Sequence, residues 1–360
     1  MMSVYKDLAM LELPQAFSAD AAEFEDRRRE ILALLAQEEY GVLPGPADGV
    51  EYEVIPGERM FGGGTAEAYQ VRITVRFGGR SHSFPLYCMI PTASRPCPAF
   101  LLVNFRPGIP DAYLPAEEIA DNGFAVFSLC YNDVTKDNDD FTDGLAGLLY
   151  QGRARAASDP GKISMWAWAA MRAMDYIQTL VCIDKRNIGI VGHSRLGKTA
   201  LWAAANDARF SFIFANESGC GGSSLARGTA DDAEHVSQIC DAFSYWFCEA
   251  YQAYAGHEKE MPFDQHFLLS ALAPRRLYIA LAEGDLWTDP KSSYRACFAA
   301  AKAYETLGVV PAFTGQDAYP KTGDVYHDGA IGFHMRSGDH FLSRRDWLGF
   351  MAYFKRYLRT

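Results

Sequence analysis

The 360-residue chain offers no C-x-x-C pair, no uninterrupted apolar run long enough to cross a bilayer, and no surplus of positive charge. Each absence excludes a class. The eight cysteines stand at 88, 97, 130, 182, 220, 240, 248 and 297, too scattered to gather the ligands of a zinc site, so no metal is expected. They read as free thiols in apolar stretches, suited to a reducing compartment. Without an apolar span there is no membrane partner to expect. A net charge of −11 argues against a nucleic-acid surface. Residues 1–14 lack the basic-then-apolar order of a secretory leader, so a cytoplasmic location is expected. The alternative is a secreted protein already trimmed. No repeat and no low-complexity linker divides the chain, and nothing in it bears on oligomeric state.

What is present is an ordinary globular composition, 49% hydrophobic and 22% charged. Residues 20–38 read as a helix capped by Asp20, with Phe24, Ile31, Leu32, Leu34 and Leu35 at helical spacing. Strand-like stretches at 50–55, 67–76 and 82–90 are separated by glycine turns, which predicts antiparallel hairpins. The pattern then changes to short, predominantly apolar runs at 99–103, 124–129, 187–191, 211–215 and 276–281. Helical stretches at 163–180, from 197, at 291–307 and at 344–358 alternate with them. Such alternation predicts a three-layer αβα sandwich with a mostly parallel central sheet and antiparallel strands at its N-terminal side. We read residues 1–360 as one domain. Residues 1–90 supply a helix and antiparallel strands packed on the sheet, and 91–360 form the catalytic core.

Residues 192–199 read Gly-His-Ser-Arg-Leu-Gly-Lys-Thr, and they satisfy two incompatible patterns. As G-x-x-x-x-G-K-[ST] they form a phosphate loop, with Lys198 on phosphates and Thr199 on Mg²⁺, the mark of a Walker-type NTPase. Centred on Ser194 they form a nucleophile elbow, in which Gly192 and Gly197 permit the tight strand-to-helix turn. The wording alone favours the phosphate loop; the context reverses this. Several strands precede the segment, and the elbow demands an acid after a later strand and then a histidine. Glu217 follows the 211–215 run, Asp285 follows the 276–281 run, and His340 lies just before the last helix. The order Ser, Asp/Glu, His is that of α/β-hydrolases. An imidazole activates the serine hydroxyl, a carboxylate orients the imidazole, and preorganised donors hold the oxyanion.

The stretch Val191 to Ala203 resembles the nucleophile segment of the glucuronoyl esterases, carbohydrate esterase family fifteen, in its bacterial branch. Four further stretches agree: Trp166-Ala167-Trp168 with Arg172, Asp175 and Tyr176; Glu217 to Gly222; Trp246 to Arg275; and Ile331 to Trp347. The resemblance covers residues 10–358. It implies an α/β-hydrolase fold and a serine esterase without metal or organic cofactor. The implied reaction is cleavage, through an acyl-enzyme, of esters between 4-O-methyl-glucuronic acid on xylan and lignin alcohols. The implied partner is a carbohydrate ester, a glucuronoxylan fragment or an acylated sugar. It makes Ser194 the nucleophile, His340 the base and Glu217 the preferred acid, with Asp285 as the alternative. Arg195 matches the oxyanion-binding arginine, Lys198 the sugar-binding lysine and Trp287 a sugar-contacting tryptophan; Trp246 reads as a second sugar-stacking ring or, equally, as core. Fungal members carry cysteines where this chain has His193 and Asp339, so their bridge is absent, and their uronate-contacting Gln and Glu have no clear counterpart in 234–245. Remaining alternatives are an acetyl xylan or other small-acyl esterase, the NTPase, and a catalytically silent sugar-binding relative.

Several residues have plainer readings. His193, His266 and His334 read as hydrogen-bonded structural histidines, and Trp166 and Trp168 as core. The run Lys136 to Asp140 resembles a calcium loop but lacks its glycine and terminal glutamate, so it reads as a solvated loop.

Overall fold

The computed structural model describes residues 3–58, 60–93 and 95–359. Ten strands build one sheet: β1 Gly49–Ile55, β2 Ala66–Phe77, β3 Arg80–Pro91, β4 Cys97–Asn104, β5 Ala125–Cys130, β6 Ile183–His193, β7 Phe212–Asn216, β8 Arg276–Ala282, β9 Val325–Tyr326 and β10 Ile331–Arg336. Their order is β1-β2-β3-β5-β4-β6-β7-β8-β10-β9. The strands β5, β4, β6, β7, β8 and β10 are mutually parallel, while β1, β2, β3 and β9 pair antiparallel. The expected hairpins therefore extend the same sheet as the parallel core.

The central strands read as unbroken apolar runs because both faces are covered. In β4, Ala99, Leu101 and Val103 face one core. Phe100 and Leu102 face the other, with Phe350 and Phe354 of the helix Arg344–Arg356. The first core is closed by the helices Lys162–Thr179, Arg195–Asn206 and Pro290–Thr306. All eight cysteines are free thiols, and six of them are buried.

Two expectations need correction. Asp20 caps the 3-10 turn Ala21–Glu23 that leads into the first long helix, accepting from Ala22 N–H at 2.8 Å. That helix, Phe24–Glu38, is anchored on other helices rather than on the sheet, because Arg28 donates to the terminal carbonyls of Ala205 and Ala271. Strand β10 is absent from the apolar runs read from the sequence. Its Gly332, His334 and Arg336 interrupt the apolar pattern, yet all six of its residues are buried. Tertiary partners make this tolerable: His334 Nε2 and Arg336 Nε both donate to the buried Asp346.

Glu39, at the end of the helix Phe24–Glu38, links the N-terminal segment to the core. It is fully buried, with one carboxyl oxygen on Gln265 Nε2 at 2.7 Å and the other without a partner. Burial pushes its pKa up to about 8; Gln265 and Lys198 oppose this and Asp264 adds to it. A carboxyl raised in the folded state favours folding at low pH, and that advantage is lost as pH rises from its ordinary value through about 8. Glu39→Gln should therefore stabilise the protein increasingly from pH 6 to pH 9, by several degrees in Tm at the upper end. Thermal melts across that range check it; parallel curves for the two proteins would contradict the assignment.

Candidate active site

The parallel strands release their C-terminal ends along one edge of the sheet, where α/β proteins place ligands. Ser194 follows β6, Glu217 follows β7, Asp285 follows β8, and His340 lies in the loop after β10.

Ser194 has φ 57° and ψ −131°, outside the region L-residues prefer. Its N–H donates to the Asn216 carbonyl on β7 at 2.9 Å, and its carbonyl accepts from Gly197 N–H at 2.8 Å. A Cβ on Gly192 would overlap the Leu196 carbonyl, and one on Gly197 would come within 2.8 Å of Ser218 Cβ. Both glycines are thus required by the turn. The helix begins at Arg195, so Gly197, Lys198 and Thr199 are helical. Thr199 is buried, and its hydroxyl donates to the Arg195 carbonyl at 3.0 Å. No open loop is left to wrap a phosphate, and the hydroxyl a Mg²⁺ would need is on a fully buried residue. The phosphate-loop reading is overturned.

The half-exposed His340 reaches both acids, in the reverse of the expected preference. Its Nδ1 lies 2.7 Å from Asp285 Oδ2 and 3.4 Å from Glu217 Oε2. The physical reason is that Glu217 is already engaged. Its Oε1 accepts from Arg336 at 2.6 Å and its Oε2 from Phe341 N–H at 2.8 Å. Burial pushes Glu217 up to about 9; Arg336 pulls it back, while Asp285 and Asp346 add to the rise. Burial also works to raise Asp285. It is outweighed by the hydrogen bond and charge of His340 and by Thr288, which donates at 2.8 Å, so Asp285 stays below the usual carboxylate range. Asp285 is therefore the stronger anion of the two.

His193 packs against His340 with ring centroids 4.4 Å apart. Burial, then the nearby His340, holds its pKa down to about 3, against the pull of Asn216. Its neutral ring donates from Nδ1 to Asn216 Oδ1 at 2.6 Å. One ligand-type atom each of His193, Glu217 and His340 falls within 4.8 Å of the others, a metal-like grouping, but these groups are already paired with Asn216, Arg336 and Asp285. The structural reading of His334 and His266 is matched by their bonds to Asp346 and to the Pro14 carbonyl.

Lys198 is buried, donating to the Ser218 carbonyl at 2.7 Å and lying 3.4 Å from Glu234 Oε2. Glu234 in turn donates its N–H to the Trp287 carbonyl at 2.8 Å. Trp287 itself, on the turn Leu286–Thr288 directly after Asp285, is 48% exposed and free to meet a ligand. For Trp246 the core reading holds. It is 3% exposed, with Phe243 stacked on it at 3.9 Å and the Arg195 guanidinium 4.7 Å from its ring centre, so it packs rather than presents a face.

Sequence reasoning missed two acids. Glu234 ends the run Asp231-Asp232-Ala233, which looks like a solvated turn, yet it is buried beside Lys198. Asp137 sits in the run read as solvated, yet its side chain is 11% exposed and paired with Arg195.

Comparison with known proteins agrees with this geometry. The family model described as "Glucuronyl esterase, fungi" matches residues 73–308. The chain is 31% identical to the solved glucuronoyl esterase from Solibacter usitatus, with TM-score 0.87, covering 96% of this chain and 97% of that one. It is 29% identical to carbohydrate esterase MZ0003 of an unknown prokaryotic organism, over 91% of this chain and 83% of the relative. It is 28% identical to the 4-O-methyl-glucuronoyl methylesterase of Schizophyllum commune, over 80% and 70% of the two chains. With the sheet order, the elbow serine and the strand-end acids already in place, the chain belongs to the glucuronoyl esterases, carboxylic ester hydrolases of the α/β-hydrolase fold.

Proposed function

We propose that this protein hydrolyses esters of glucuronic acid, of the kind found on xylan, through an acyl-enzyme on Ser194. The observation that carries the reading is the 2.7 Å bond between His340 Nδ1 and Asp285, set beside a serine held in a left-handed elbow. Ser194 Oγ attacks the uronate carbonyl while His340 takes its proton. Asp285 keeps the Nδ1–H tautomer and stabilises the imidazolium. Arg195 is the first residue of its helix, so its backbone N–H has no intrahelical acceptor and is available to the oxyanion. Its guanidinium, on the residue next to Ser194, adds positive charge to the site. His340 then protonates the leaving alcohol, and water repeats the sequence in reverse to release the uronate. The buried Lys198–Glu234 pair offers donors and an acceptor to sugar hydroxyls, and the exposed Trp287 offers an apolar ring face.

Two measurements test this. Benzyl glucuronate should be turned over with a kcat/KM well above that for p-nitrophenyl acetate, and Ser194→Ala should reduce turnover by more than about 10,000-fold. Preference for the acetate would instead identify a small-acyl esterase, and full activity in Ser194→Ala would sink the mechanism. In the second, Asp285→Asn should lower kcat by about 1,000-fold or more, and Glu217→Gln by less than about 100-fold. The opposite ranking would make Glu217 the acid.

A further inference from the structure

The segment 135–143 is bracketed from below by one buried cation. Lys162 has no exposed surface, and its Nζ donates to Thr135 Oγ1 at 2.9 Å and to the Asp140 carbonyl at 2.7 Å, with Asp143 at 3.6 Å. Trp166 Nε1 adds a bond to the Thr135 carbonyl at 3.0 Å. Burying an ammonium is costly unless it is paired and bonded, so these contacts fix the loop firmly.

The loop holds Asp137 over the elbow. One carboxylate oxygen accepts from Arg195 Nη1 and from the Tyr131 hydroxyl, the latter at 3.2 Å. The other accepts from Trp246 Nε1 at 2.7 Å. The Asp137 carbonyl accepts from Tyr245 at 3.2 Å. Around this anchor the guanidinium is boxed by aromatic rings: Trp246 at 4.7 Å, Phe105 at 5.4 Å and Phe243 at 5.8 Å from its central carbon. Arg195 Nε is buried with no acceptor, and among the described residues Asp137 is the acidic partner of this side chain. A flexible arginine is thus held by one carboxylate and three ring faces. The rings confine it without setting its rotation about the long axis; the charge-assisted bond to Asp137 sets that.

We infer that Asp137 is the positioning residue for Arg195, aiming the guanidinium at the developing oxyanion. This rests on the oxyanion role proposed for Arg195. Asp137 touches no reacting atom, and its effect passes through the arginine. It also explains the loop: Lys162 rigidifies a segment whose output is one carboxylate.

The test is a double-mutant cycle with benzyl glucuronate, on variants whose folding is checked by thermal melting. Asp137→Asn removes the charge and must set its N–H₂ against either the guanidinium or the Trp246 N–H, and it should lower kcat by about 10- to 100-fold with KM within about threefold. In an Arg195→Ala background the same change should alter kcat by less than about twofold. Asp137→Glu keeps the charge on a longer arm. It should lose about threefold to tenfold in the wild type and nothing in Arg195→Ala, so it keeps the test open if the asparagine variant is unstable. Equal losses in both backgrounds would overturn the inference, since Asp137 would then serve the fold alone. An unchanged kcat in Asp137→Asn, with Arg195→Ala impaired, would overturn it while sparing the oxyanion role. An unchanged kcat in Arg195→Ala would overturn both.

Discussion

The site depends on hydrogen bonding that continues one residue beyond each strand end. Ser194 N–H reaches the Asn216 carbonyl on β7, Glu217 N–H reaches the Ala280 carbonyl on β8, and Glu283 N–H reaches the Arg336 carbonyl on β10. Ser194, Glu217 and the segments that carry Asp285 and His340 are thereby stitched to one another by main chain before any side chain takes part. Two of the residues so held, Ser194 and Glu217, carry positive φ without being glycine. Each such conformation costs about 1–3 kcal/mol and persists only where neighbours over-determine it. The strand-end ladder is that over-determination, and the Cβ-free positions at 192 and 197 make room for it.

Side-chain charge follows from the same edge. Arg336, the last residue of β10, is 7% exposed and meets Glu217 and Asp346, while its guanidinium also bonds the carbonyls of Ser337, Asp339 and Phe341. It therefore ties the histidine loop down along its length. Asp346 does double duty. It completes the capping box with Ser343 at the start of the last helix and accepts from Arg336 and His334. His334 Nδ1 pairs with Tyr278, which pairs with His327, so the buried polar groups form a connected chain rather than isolated costs. Because Arg336 occupies Glu217, Asp285 is left as the acid nearest His340.

Much of this was legible in the sequence, for physical reasons. The doubly covered strands show as apolar runs, the hairpins as glycine-separated alternation, and the elbow as two glycines around a serine. The order of Ser194, Asp285 and His340 follows from the order of parallel strands. What escaped was whatever a tertiary partner had made tolerable. Strand β10 carries Gly332, His334 and Arg336 where a buried strand should be apolar. Asp137 and Glu234 sit in polar runs that look solvated, and only the fold reveals that each is paired with a cation away from bulk solvent. Trp246 could be read either as a platform or as core, and the Phe243 ring stacked on it decides for core. The choice between acids depended on Arg336, a residue with no sequence signature linking it to Glu217.

The pairing of charges bears on what the site is built to hold. Arg195 is matched by Asp137, Lys198 by Glu234, Arg336 by Asp346, and His340 by Asp285. A phosphate loop needs its lysine unpaired, since the ligand brings the negative charge. Here the lysine of the same pattern already has its carboxylate, so its remaining capacity suits neutral hydroxyls. On the proposed reaction this matters at both ends. The substrate ester is uncharged and needs no excess cation to enter. The product is a carboxylate, and a site whose cations are already neutralised has no surplus charge with which to retain it. Positive charge is then called upon only when the tetrahedral oxyanion forms beside Arg195. An arginine held in place by a single carboxylate can meet that demand without first being reorganised.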